Sequence, residues 1–114
     1  MFRNWLNGNR DLYLIQSDNS GTSFGTVQKL GIGSWNLNAC PMDGGSLVIN
    51  KNGKAQTVWR REGNIFTAVL GIPEIGIGKG RNCIIGTINN ENNYGWSDKD
   101  EILYMKANDQ KNIR

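Results

Sequence analysis

Ser17-Asp18-Asn19-Ser20-Gly21-Thr22-Ser23-Phe24 is the stretch on which the fold reading turns. It follows the apolar run Leu12-Tyr13-Leu14-Ile15 with one residue between. The pattern is strand, tight polar turn, strand. Ser17 and Asn19 carry short side chains that can bond backbone amides within the turn, and Gly21 accepts a positive φ without steric cost. Phe24 is expected to anchor the returning strand, which is predicted over Phe24 to Leu30.

Working outward, strand signals dominate the rest of the chain. Leu47-Val48-Ile49-Asn50, Lys51-Asn52-Gly53-Lys54 and Ala55-Gln56-Thr57-Val58-Trp59-Arg60 read as a hairpin, with Asn52-Gly53 expected at the two positive-φ positions of a type I′ turn. Glu62-Gly63-Asn64 turns into a strand from Ile65 to Leu70, and Glu74 to Ile77 reads as a short strand. Further strands are predicted over Asn82–Thr87, Tyr94–Trp96 and Ile102–Lys106. The glycine-rich run Gly76-Ile77-Gly78-Lys79-Gly80 lacks the Gly-Lys-Ser/Thr ending and following helix of a phosphate loop, and reads as a turn between units. The segment 107–114 is polar and expected to fray.

An internal repeat organises these strands. A shift of 37 residues places Leu47-Val48 on Ile84-Ile85, Trp59 on Trp96, Ile65 on Ile102 and Phe66 on Leu103. The N-terminal segment fits the same unit more loosely, with strands at Phe2-Arg3-Asn4, Leu12 to Gln16 and Phe24 to Leu30. Each unit is a four-stranded meander of about 40 residues, the length of a β-propeller blade. The expected fold is therefore all-β, with antiparallel meander sheets of β-propeller type and a β-sandwich as the alternative. Residues 1–106 are expected to form one partial propeller domain of about two and a half blades, covering roughly 1–33, 44–78 and 81–106.

The 114 residues suffice for one domain, and 38% hydrophobic content supports a modest core. A net charge of +3 is spread with both signs interleaved, so no basic stripe points to nucleic acid. No apolar run approaches the length of a membrane span, and the first residues lack the apolar core of a signal peptide, so a cytoplasmic location is expected. The chain has no histidine, which excludes Ser-His-Asp and Cys-His catalysis and histidine-based zinc sites. Cys40 and Cys83 form no CxxC pair, so neither a thiolate metal site nor any cofactor is expected, and both thiols are expected to be reduced.

The turn at Ser17–Phe24 resembles the Asp-box (BNR) turn of sialidase-like β-propellers, Ser-x-Asp-x-Gly-x-Thr-Trp, with Asn19, Ser23 and Phe24 departing from it. Phe2-Arg3-Asn4, Asn9-Arg10-Asp11-Leu12-Tyr13-Leu14 and Trp35-Asn36-Leu37-Asn38-Ala39-Cys40-Pro41-Met42-Asp43-Gly44-Gly45 are similar to bacterial members of that group. Val58-Trp59-Arg60-Arg61-Glu62-Gly63, Pro73-Glu74 and Gly76-Ile77-Gly78-Lys79 extend the likeness. The resemblance implies a propeller and, for true sialidases, arginines on a substrate carboxylate, an Asp acid/base and a Tyr nucleophile. Only Arg3 matches a carboxylate-binding position of the family, and no motif assigns Asp43 or Tyr13 a catalytic role. Because propellers close with typically 4–8 blades, a partial one is expected to self-associate, most simply as a dimer forming a six-bladed ring.

Candidate residues follow from their chemistry. Arg3, Arg10, Arg60 and Arg61 could form an anion pocket, because guanidinium forks fit carboxylates bidentately, with Asp11 also a candidate ligand-binding residue, or could be surface arginines paired with Asp11 or Glu62. Asp43 is the candidate acid, with a turn-acceptor role as the alternative. Trp5 and Trp35 are candidates for stacking on a sugar ring, whereas Trp59 and Trp96 share a repeat position and are expected in the core. Cys40 is expected to be a buried, inert thiol. The primary expectation is a self-associating module that binds an acidic sugar or small anion without catalysis. The alternatives are an exo-sialidase-type glycoside hydrolase with a shared site, and a protein-interaction scaffold.

Overall fold

The computed structural model describes residues 1–107, and within them the chain is all-β. Ten strands occur among the described residues: β1 Phe2–Leu6, β2 Asn9–Leu14, β3 Gln28–Lys29, β4 Ser46–Ile49, β5 Ala55–Arg61, β6 Asn64–Val69, β7 Ile75–Lys79, β8 Arg81–Ile88, β9 Glu91–Asp98 and β10 Glu101–Lys106. They form three antiparallel sheets, ordered β1-β2-β3 (sheet 1), β4-β5-β6-β7 (sheet 2) and β8-β9-β10 (sheet 3).

The hairpins are set by their turns. Asn7-Gly8, Glu62-Gly63 and Asn89-Asn90 all take positive φ at both positions, so two-residue turns match the strand twist and fix the register. At the predicted Asn52-Gly53 turn only Gly53 has positive φ. The Asn50 side chain accepts hydrogen bonds from the Asn52 and Lys54 amides at 2.9 and 3.0 Å, and the Gly53 amide donates to the Asn50 carbonyl at 2.9 Å. An Asx-type turn therefore replaces the type I′ turn and lengthens the connection. That length has a consequence, because register parity follows turn length. Leu47 pairs with Thr57, and it is Ile85, not Ile84, that pairs with Tyr94, the residue 37 beyond Thr57. The 37-residue shift thus holds for β5/β6 and β9/β10 but slips by one on the first strand.

The N-terminal unit obeys the same register more closely than its sequence suggests. Phe2↔Tyr13, Thr57↔Ala68 and Tyr94↔Met105 are the same rung of three ladders, separated by 55 and then 37 residues. What hides the repeat is the long path from β2 to β4. Its return strand is only Gln28–Lys29, and Phe24 is 59% exposed and outside any strand, so Phe24 does not anchor the return. The Ser17–Ser23 turn itself forms as expected. Ser17 Oγ accepts from the Gly21 amide at 2.8 Å, Asn19 Oδ1 accepts from the Ser23 amide at 2.9 Å, and Gly21 has φ +85°. After β3 the chain rejoins β2 at Asn36, which bridges to Asn9.

Strand alternation gives sheet 2 two covered faces. Its front face, with Ala55, Trp59 and Ala68, packs on Leu12, Leu14 and Leu30 of the sheet 1 segment. Its back face, with Val58, Ile65 and Ile77, packs on Cys83, Ile85, Tyr94, Trp96 and Met105 of sheet 3. Trp59 and Trp96 are both in the core, as the repeat implies. The room for Trp96 comes from the glycine-rich run, which is not a turn: β7 continues through Lys79, and a Cβ at Gly78 would lie 2.5 Å from the Trp96 ring. Ala107 also packs against this core, so the predicted frayed tail does not begin there, and 108–114 lie outside the described residues.

Candidate functional site

The loop into β4 carries Cys40-Pro41-Met42-Asp43-Gly44-Gly45 across the end of β5. Gly45 makes the crossing possible: it has φ +78°, and a side chain there would meet the Val58 carbonyl at 2.7 Å. Asp43 is thereby set beside Arg60, whose Nη2 donates to Asp43 Oδ1 at 2.8 Å. Arg3 reaches into the same place from β1. Its Nη2 donates to the carbonyls of Asp43 and Arg60 at 3.1 and 3.2 Å, and its Nη1 to the Arg10 carbonyl at 2.7 Å. Three stretches distant in sequence are bound together by one guanidinium.

Trp35 completes the cluster. The Arg3 and Arg60 guanidinium carbons lie 5.6 and 5.2 Å from its ring centroid, within the range of cation–π attraction. Its backbone is held on β2, where Trp35 O accepts from the Arg10 amide at 2.7 Å and Trp35 N–H donates to Asp11 Oδ1 at 2.8 Å. Asp11 also pairs with Lys29 at 3.4 Å, so this buried carboxylate is engaged in holding Trp35 and Lys29.

Four of the sequence candidates are therefore brought together: Arg3, Trp35, Asp43 and Arg60. Arg10 contributes its carbonyl, while its side chain stacks on Trp5 at 4.5 Å. Arg61 is elsewhere. It pairs with Glu74 at 2.6 Å, and Glu74 also accepts from the amides of Ile32 and Gly33 at 2.6 and 2.8 Å. This clamp ties sheet 2 to the 31–34 loop. Burial, the largest influence on Glu74, works to raise its pKa, but the Arg61 bond and the backbone amides together hold it down at about 2.

An open cleft of about 350 Å³ lies against the cluster, lined by Cys40, Met42, Asp43, Arg60, Arg81 and Asn82 among others. Arg81 is exposed and was not singled out by the sequence reading, since an isolated arginine after Gly80 carries no motif. Arg60 pairs with the Asp43 carboxylate, Arg3 bonds the Asp43 backbone carbonyl, and Arg81 joins Arg60 and Asp43 in lining the cleft. Burial foremost lowers the Arg3 pKa, with Arg60 adding to the effect and Asp43 opposing it. Arg3 Nε, Arg60 Nε and Asp43 Oδ2 are buried without a hydrogen-bond partner, an unusual concentration of unspent polar capacity.

Cys40 is not the buried thiol that was expected. Cys40 is exposed at the cleft, because the 38–42 loop lies outside the sheets, and Cys83 is the buried one; neither is in a disulfide. Burial, reinforced by Asp43, pushes Cys83 up to about 11, so it stays a neutral thiol and a weak nucleophile at neutral pH. Tyr13 stacks on Phe2 at 5.9 Å on the outer face of sheet 1, Tyr94 is buried against Thr67, and Tyr104 donates to Asn93 Oδ1. No group of three or more potential metal-ligating side chains, and no helix long and apolar enough to cross a membrane, occurs among the described residues. No protein-family model matches the chain, and no curated protein or solved structure is significantly similar to it.

Proposed function

We propose that this chain is a partial sialidase-like β-propeller that self-associates to complete a ring and binds an acidic sugar or other small anion, without catalysis, at the Asp43–Arg60–Arg81 cleft. The observation that carries the binding reading is the open cleft itself, lined by Arg60, Arg81 and Asp43, with Arg60 paired to Asp43 and Arg3 bonded to the backbone behind them. A guanidinium fork binds a carboxylate through two parallel N–H···O bonds, and Arg81 is exposed at this cleft. Support for the propeller reading comes from the Ser17–Ser23 turn, which uses its Ser and Asn side chains as an Asp-box would, and from three successively packed sheets of one register.

The placement of the tyrosines favours binding over hydrolysis, because a sialidase-type mechanism needs a tyrosine at the sugar and none of the three lies on this cleft. Asp43 is likewise engaged as the anchor of Arg60. Calorimetric titration with N-acetylneuraminic acid tests the reading, with its methyl ester as the uncharged control. The free acid is expected to bind, and Arg60→Ala and Arg81→Ala each to weaken it about tenfold, a loss of roughly 1.4 kcal/mol. Equal binding of acid and ester, or none, would remove the anion assignment. A fluorogenic sialoside assay is expected to show no turnover, and turnover abolished by Asp43→Asn would restore the hydrolase.

A further inference from the structure

We infer that the outer face of sheet 3 docks on the outer face of sheet 1 of a second copy of this chain, head to tail, so that two chains close on each other through two equivalent contacts. This rests on the self-association proposed above and names the surfaces that carry it.

On the back face of sheet 2, Ile65 is 0% and Thr67 1% exposed, because sheet 3 covers them. The same positions on sheet 3, 37 residues on, are Ile102 and Tyr104, at 83% and 60% exposure. Ile84 and Ile88 alternate with the inward-facing Cys83 and Ile85, so they share that outer face with Ile102 and Tyr104. A face that is core in one unit is thus left bare in the next.

The complementary face is at the other end of the molecule. Phe2 and Leu6 are exposed on the outside of sheet 1, with Tyr13 stacked on Phe2. Phe2 occupies the rung that Thr57 occupies in sheet 2 and Tyr94 in sheet 3. Inside the molecule, Tyr94 covers that back face of sheet 2: its hydroxyl meets Thr67 Oγ1 at 3.2 Å, and its ring shares a core with Ile65. By the same register, Ile102 and Tyr104 of one chain would meet Phe2 of the other. A back face meets a front face, so the contact is heterologous, and two such contacts related by a twofold axis close without leaving either face open. Ile84, Ile88, Ile102 and Tyr104 are four large apolar side chains, each more than half exposed on one face, and contiguous exposed apolar surface marks an association site.

Sedimentation velocity over a micromolar concentration series tests this, using the wild-type chain, Ile102→Asp, Phe2→Lys and their equimolar mixture. The wild type is expected to be a dimer. Each variant alone should raise the dissociation constant on the order of 100-fold, since each spoils both contacts of its own dimer. The mixture should regain a one-to-one dimer, because one of its two contacts is then untouched and the other pairs Asp with Lys. Far-UV circular dichroism identical to wild type confirms that loss of the dimer is not loss of fold, and Leu6→Lys replaces Phe2→Lys if the latter unfolds. A dimer indifferent to both substitutions, or disrupted by Ile102→Asp alone, overturns the head-to-tail assignment. A folded wild-type monomer throughout the series instead overturns self-association as a whole.

Discussion

The two seams between the sheets are built on the same register but filled with different chemistry. Between sheets 2 and 3 the contact is apolar, with Val58, Ile65, Ile85, Tyr94 and Trp96 buried together. Between sheets 1 and 2 a smaller apolar patch of Leu12, Leu14, Ala55 and Trp59 gives way to Arg3, Trp35, Asp43 and Arg60 at one end and to the Arg61–Glu74 clamp. Arg10 stands on the rung that Ile65 holds in sheet 2, and Arg3 on that of Val58. One scaffold position thus serves as core in one seam and as guanidinium in the next. The lesson is that the ladder dictates where a side chain points, while the residue type decides whether the seam is a core or a site.

The apolar seam should be the more costly to damage. Trp96→Ala is expected to destabilise the chain by about 3–5 kcal/mol, as large aromatic deletions do, whereas Ile102→Ala on the bare face of sheet 3 should cost the monomer less than about 0.5 kcal/mol. Urea denaturation at low protein concentration compares them, and equal losses would break the distinction between covered and bare faces.

The polar seam should carry the acid sensitivity. The folded-state pKa of Glu74, about 2, lies below the ordinary 4.5, so its clamp contributes fully above pH 4.5 and is lost as pH falls toward 2. The displacement corresponds to roughly 3 kcal/mol at 1.36 kcal/mol per unit. Glu74→Gln should lower stability near pH 7 and flatten the curve of stability against pH between 5 and 2. An unchanged slope would move the acid sensitivity away from this seam.

A smaller effect is expected where the apolar seam depends on the absence of a side chain. Gly78→Ala sets a methyl against the Trp96 ring and should cost about 1–3 kcal/mol by overpacking. Thermal melting read by tryptophan fluorescence would show it, and a neutral result would mean that the ring can shift. Least of all, Ser17→Ala removes the acceptor for the Gly21 amide on the exposed turn and should cost about 1 kcal/mol, with no effect on either seam.

Much of the architecture was legible in the chain. The strands on either side of Glu62-Gly63 were readable because alternation and turn residues act locally, and the pairing of Trp59 with Trp96 as core positions was readable because the repeat carries it. The slip between Leu47 and Ile85 was not, since it arises from the Asn50 side chain taking over a turn whose Asn-Gly pair suggests a tighter one. The candidate site was half legible. Arginine, aspartate and tryptophan are the chemistry of anion binding, but nothing in the spacing of Arg3, Trp35, Asp43 and Arg60 separates them from Arg61, which closes a structural clamp, or brings in Arg81 at the cleft.

The Ser17–Ser23 turn, the Glu62-Gly63 hairpin turn and the alternation of apolar residues are properties of neighbours along the chain, and the sequence alone determined them. Which arginines share a site, which cysteine is buried and which sheet face is left bare depend on contacts between residues tens of positions apart. Those were decided only when the sheets stacked, because burial and charge pairing belong to the packed interface and to no single segment of the chain.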